Sequence, residues 1–165
     1  MVQRRSIRNS VIIAVAAAAS ISASFAGYYA AEAQKFFALG NTAVTKAVKN
    51  EHQADLQVLH DEELLIQATI EYHKNETRIG DFLVGQVSDI AKRDMSVDST
   101  NLSYSLQQKY YDDMYSGYES AIEEEHDYLA RAELSDEYTK MAIISASLLT
   151  AGIVIFSEFT RKESV

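Results

Sequence analysis

The sequence predicts an all-α fold: two transmembrane helices that continue into an antiparallel extramembrane helical bundle, a coiled-coil-like hairpin. Three observations carry this reading. No proline occurs in 165 residues, so nothing interrupts a helix interior. Two long windows near the ends hold no Asp, Glu, Lys or Arg. Between them, apolar and small residues return on a seven-residue repeat.

Composition narrows the function classes. Asp plus Glu is 24 against 15 Lys plus Arg, a net charge of −9, and Cys and Trp are absent. A chain without cysteine has no disulfide scaffold, thiolate metal site, thiol nucleophile or Cys-x-x-Cys redox motif. An acidic chain repels phosphate, which argues against a nucleic-acid partner. The six glycines form no phosphate-cradling loop pattern.

The first charge-free window lies between Arg8 and Glu32, the second between Lys140 and Glu158. A hydrocarbon core of ~30 Å needs about 20 apolar residues. The first window is long enough. The second reaches ~25 Å at ~1.5 Å per residue, and Lys140 extends it by carrying its ammonium toward the interface. The expected division is a cytoplasmic flank 1–9, transmembrane helix 10–31, an acidic helical extramembrane domain 32–139, transmembrane helix 140–157 and a cytoplasmic tail 158–165. Close packing in lipid favours small residues. Ala16, Ser20, Ala23 and Gly27 share one helical face, and Ala142, Ser145 and Gly152 give the second window a similar one, so the spans are expected to pair along these seams. Arg4, Arg5 and Arg8 ahead of an apolar stretch also fit a signal peptide, with cleavage after Ser24-Phe25-Ala26 or Ala31-Glu32-Ala33. The length of the window exceeds the usual apolar region of such a peptide, and either reading exports the middle of the chain.

Three arginines at the N-terminal flank, with no acid beside them, place both termini in the cytoplasm and residues 32–139 outside. The segment 32–140 holds 22 acids and 10 bases, but long segments translocate largely regardless of charge. The sequons Asn75-Glu76-Thr77 and Asn101-Leu102-Ser103 point the same way.

From Glu32 to Glu76 the chain reads as one helix. Phe37, Val44, Val58, Leu65 and Tyr72 share a register that Glu51 breaks. Gly40, Ala47, Ala54 and Ala68 fill the position three residues on, where Asp61 is the exception. Asp61 is expected either to be buried against a lysine or tyrosine or to mark a splayed point. A turn near Asn75 and Gly80 precedes a third amphipathic helix, 78–94, on Leu83, Val87 and Ile90. Ser96–Ser103 is polar and reads as a loop. The last helix is expected from Ser103 to about Leu134, with Tyr104, Tyr111, Tyr118 and Ala132 on one register, broken by Glu125, and Tyr115, Ile122 and Leu129 on its neighbour.

Candidate chemistry is sparse, and no catalytic residue or cofactor is expected. Glu123 and His126 form one Glu-x-x-His pair, the element that occurs twice in ferritin-like di-metal bundles. They are the only metal candidates, and a solvated acidic face explains them as well. His60, Asp61, Glu62, Glu63, Glu71 and His73 lie where a facing helix would supply further ligands, in no matching pattern. A Ser–His60–Asp61 triad lacks any supporting nucleophile context.

The stretch Ala132-Glu-Leu-Ser-Asp-Glu-Tyr138, followed by an aliphatic span with Ala151-Gly152-Ile153, resembles a large group of uncharacterised prokaryotic membrane proteins. In these, two transmembrane helices flank a helical extramembrane segment. The small-residue span leading into Tyr28-Tyr29-Ala-Ala-Glu-Ala33 is similar too. The likeness covers about a third of the chain and implies architecture only. The functional expectation is a non-enzymatic, membrane-anchored helical protein that mediates protein–protein contact or serves as an accessory subunit. Its partners would be membrane lipid and either another protein or further copies of itself. The alternatives are a sensor-type ectodomain signalling through a partner, or a metal-binding helical bundle.

Overall fold

The computed structural model describes residues 2–98 and 103–162. The order is α1 (Val2–His73), α2 (Thr77–Gln86), α3 (Asp89–Asp94), β1 (Met95–Asp98), β2 (Ser103–Leu106) and α4 (Gln108–Lys162). The fold is an all-α antiparallel hairpin in which α1 and α4 pack against each other. The chain forms two compact units, Met1–Gly40 with His126–Val165, and Asn41–Glu125.

In the first unit the buried line is made of small side chains. Ala26 and Ala33 of α1 and Ala132 and Ser135 of α4 are buried, flanked by half-buried Ile12, Val15 and Ala19 on α1 and by Ala142, Ala146, Leu149 and Ile153 on α4. The rings of Tyr29 and Tyr138 lie 5.2 Å apart and those of Phe36 and Tyr128 6.5 Å. The seam expected from Ala16, Ser20, Ala23 and Gly27 is not the packed one: all four face outward. A Cβ placed on Gly27 or Gly152 would meet nothing within 4 Å. The packed line instead carries the repeat of Gly40 and Ala47 back through Ala33 and Ala26. Asn9–His73 and Gln108–Phe159 are long and apolar enough to cross a membrane, by length and composition. Only 6% of the apolar window of α1 and 0% of that of α4 is buried.

In the second unit the expected α1 register is the buried one. Ala47, Ala54, Val58, Asp61, Leu65, Ala68 and Tyr72 are all buried. α1 ends in a Schellman-type cap. Asn75 takes φ 66°, a left-handed conformation that Asn tolerates. The Glu76 N–H donates to Glu71 O at 2.9 Å and the Asn75 N–H to Tyr72 O at 3.0 Å, so two terminal carbonyls are satisfied. α2 then folds back onto the Tyr72 ring at Gly80, where an added Cβ would lie 2.7 Å from Tyr72 Cζ.

Three expectations are corrected here. The helix expected over 78–94 is two helices. It breaks at Val87 and Ser88, whose backbones are extended, and Ser88 caps α3 by accepting from the Ala91 N–H at 3.1 Å. The expected loop over 96–103 includes a β-hairpin in the described residues. Met95 pairs with Leu106, Ser96 with Ser105, Val97 with Tyr104 and Asp98 with Ser103. Met95, Val97, Tyr104 and Leu106 alternate with polar residues, which is strand periodicity. The last helix therefore starts at Gln108 and not at Ser103. The sequon residues Asn101 and Leu102 lie outside the described residues. The core joins Val58, Leu65, Val87, Ala91 and Tyr110, with Met95, Tyr104 and Leu106 of the hairpin packed on it.

Candidate functional site

The second unit concentrates its buried polar chemistry around Asp61. This carboxylate is fully buried and accepts three hydrogen bonds. They come from Gln57 Nε2 at 3.1 Å, the Ser88 N–H at 2.8 Å and the Tyr110 hydroxyl at 2.8 Å. A buried charge is tolerable only when hydrogen-bonded in this way. One side chain thus ties α1 to the α2–α3 break and to the first turn of α4. Asp61 resolves the sequence alternatives in favour of burial against a tyrosine.

Three further tyrosines repeat the arrangement. Tyr111 donates to Glu62 at 2.6 Å, Tyr115 to Asp55 at 2.5 Å and Tyr72 to Asp81 at 2.5 Å. Tyr110 titrates well above the ordinary phenol range because it is buried and donates to Asp61. Tyr72 is raised for the same two reasons, with Asp81 as acceptor. Tyr111 is pushed up to about 12, first by its bond to Glu62 and then by burial. Tyr115 is raised chiefly by its bond to Asp55. A second cluster joins α3 to α4. Arg93 Nε donates to the buried Asp94 at 3.1 Å, and its Nη2 also bonds Asp113. The guanidinium holds the Asp94 carboxyl below its usual range against the opposing effect of burial.

The sequence candidates take other places. Glu123 and His126 are exposed, and neighbouring Glu124 pairs with Lys46 at 3.2 Å. Glu63 accepts from Gln67, Glu71 from Lys74, and His73 Nδ1 lies 2.8 Å from Thr69 O. His60 is exposed, whereas the Asp61 carboxylate is buried among Gln57, Ser88 and Tyr110; the drawn triad is therefore not assembled. Among the described residues no group of three or more His, Asp or Glu is spaced to hold a metal ion.

Comparison of the chain with protein-family models, curated proteins and solved structures gives no match. The described residues carry two open surface features. One is an open groove of about 560 Å³ between α1 and β2, with Ile66, Thr69, Ile70, Tyr104, Leu106 and Tyr111 among its walls. Another is the outward face of α1 around Ser20, Ile21, Ser24, Phe25 and Tyr28. Sequence reasoning missed Tyr110, the largest fully buried side chain. Its signal was the spacing to Ala121 and Ala132, which among the described residues are the other two of α4 with no exposure. Eleven residues separate each from the next, close to three helical turns.

Proposed function

We propose that the chain is a non-enzymatic membrane protein, anchored by its two apolar helical ends, whose acidic helical segment makes contacts with other proteins. The observation that carries this reading is that the apolar windows stay uncovered in the folded hairpin. A core helix of a water-soluble protein buries such a window. Here Ile13, Ile21, Phe25, Ile144, Leu148 and Ile155 each expose more than half of their surface. A signal sequence would account for the first window alone. Lipid as the surrounding solvent accounts for both, since it removes the cost of leaving aliphatic side chains outward.

The arginine flank supports cytoplasmic termini with residues 32–139 on the opposite side. The likeness of both ends to two-span prokaryotic membrane proteins supports the two-span architecture alone. The buried carboxylates of the extramembrane segment are occupied by tyrosine, arginine and backbone donors. That supports a structural role for them over a catalytic one. The native chain has no cysteine, so orientation is open to thiol labelling. Ser120→Cys and Ser164→Cys variants are treated with a membrane-impermeant maleimide in intact cells. Position 120 is expected to label and position 164 only after permeabilisation. The reverse pattern would overturn the orientation. Labelling of neither position without lysis, together with recovery in the soluble fraction, would overturn the anchoring.

A further inference from the structure

We infer that the first unit holds a phospholipid bilayer at fixed margins: Tyr28, Tyr29 and Tyr138 lie in the headgroup layer on the side of residues 32–139, and the hydrocarbon ends at the level of Arg8 and Phe159. The inference deepens the membrane reading above and rests on it. Aromatic residues mark the ends of both apolar windows. Neither 9–24 nor 139–155 contains Phe, Tyr or Trp. Phe25, Tyr28 and Tyr29 stand at the end of the first window, Tyr138 ahead of the second, and Phe156 and Phe159 at its close. The antiparallel packing brings the rings of Tyr29 and Tyr138 to 5.2 Å, so the three tyrosines share one level. Tyr28 is 60% exposed and Tyr138 42%. A phenol suits that level, with its ring among acyl chains and its hydroxyl among headgroups.

Length sets the other margin. Both helices run without a break across these windows. Arg8 stands 21 residues before Tyr29, and Phe159 stands 21 residues after Tyr138. At ~1.5 Å per residue each stretch covers about 31 Å, which matches a hydrocarbon core of ~30 Å. Two helices that start from one aromatic contact therefore reach the far margin together. The second span is thereby longer than its charge-free window alone.

The charged side chains at the margins are directed out of this layer. Lys140, just inside Tyr138, bonds Asp136 at 2.6 Å, one turn back toward the extramembrane side. Glu158, just inside Phe159, lies 3.8 Å from Arg161, toward the C-terminus. Beyond the tyrosines charge resumes with the Glu32–Lys35 pair at 3.7 Å. A boundary lysine that reaches outward is what a hydrocarbon layer requires. A covering protein would set neither that thickness nor aromatic margins at both ends of it.

The test uses the full chain reconstituted into phosphatidylcholine vesicles. The native chain has no Trp, so a single introduced indole reports its own depth. The vesicles carry a nitroxide quencher on one acyl chain, either near the headgroup or near the terminal methyl. Tyr28→Trp, Tyr138→Trp and Phe159→Trp lie at the margins, about 15 Å from the bilayer centre. Leu148→Trp lies midway between them, and Phe37→Trp lies outside. We expect the shallow quencher to act several-fold more strongly than the deep one at 28, 138 and 159. The order is expected to reverse at 148, and neither quencher to act at 37. Tyr28 and Tyr138 report one level from two helices, so a variant that fails to fold leaves a second reading. Deep quenching at 148 joined by lipid quenching at 37, or by stronger deep than shallow quenching at 28 and 138, would overturn the margins and leave the anchoring standing. So would deep quenching at 148 with none at 28 and 138. Quenching at no position would remove the anchoring, and the margins with it.

Discussion

Asp61 stands where the α1 repeat calls for alanine, and the structure gives the reason. Its carboxylate gathers a side-chain amide, a backbone N–H and a phenol from three separate segments. Removing one partner of a buried charged hydrogen bond costs on the order of 1–3 kcal/mol. Tyr110→Phe is therefore expected to lower stability by about that amount at neutral pH, read by thermal circular dichroism in detergent. The tyrosines also set an alkaline limit. Tyr72, Tyr110, Tyr111 and Tyr115 all have folded pKa values raised above the unfolded value of about 10. Raised groups contribute stability that is fully present below the unfolded value. It is lost as pH climbs toward the folded one, because the unfolded chain releases protons first. Stability should be level in this respect up to about pH 10 and fall above it, less steeply in Tyr110→Phe. Equal slopes in the two proteins would count against the Asp61–Tyr110 bond as a source of the loss.

At the scale of elements, Gly80 is the position where space decides the fold. Ala there would drive its Cβ into the Tyr72 ring, whose hydroxyl is tied to Asp81 of the same helix. Gly80→Ala is expected to loosen α2 from α1, with faster hydrogen exchange over 77–86 and a Tm lowered by several degrees; unchanged exchange would contradict the packing. Long elements were the legible ones. The α1 repeat could be read from Ala47 to Tyr72 because burial on one side of a helix leaves a period. The break at Val87–Ser88 was harder to see, because its cause is non-local: the Ser88 N–H is drawn to Asp61, 27 residues away. The hairpin was hidden by serine, whose turn preference masked the alternation of Met95, Val97, Tyr104 and Leu106. In the first apolar window, alanine and serine occur on nearly every face. Composition could not choose between the Gly27 seam and the Ala26 seam, whereas extension of the Gly40–Ala47 repeat does. Among site residues, the candidacy of Glu123 and His126 came from spacing alone, and spacing says nothing of what faces a residue.

At the scale of the whole molecule, the two ends and the middle bury different kinds of side chain. The middle buries aliphatic side chains in a conventional core and satisfies its internal carboxylates. The ends pair through small residues and direct their large aliphatic side chains outward, the reverse of what water favours. The proposed lipid surround of the ends would reconcile the two patterns. Alkaline carbonate extraction of membranes holding the full-length protein tests this most directly. The account predicts that the protein stays with the pelleted bilayer and leaves it only in detergent. Release into the detergent-free supernatant as a monodisperse, folded species would contradict it.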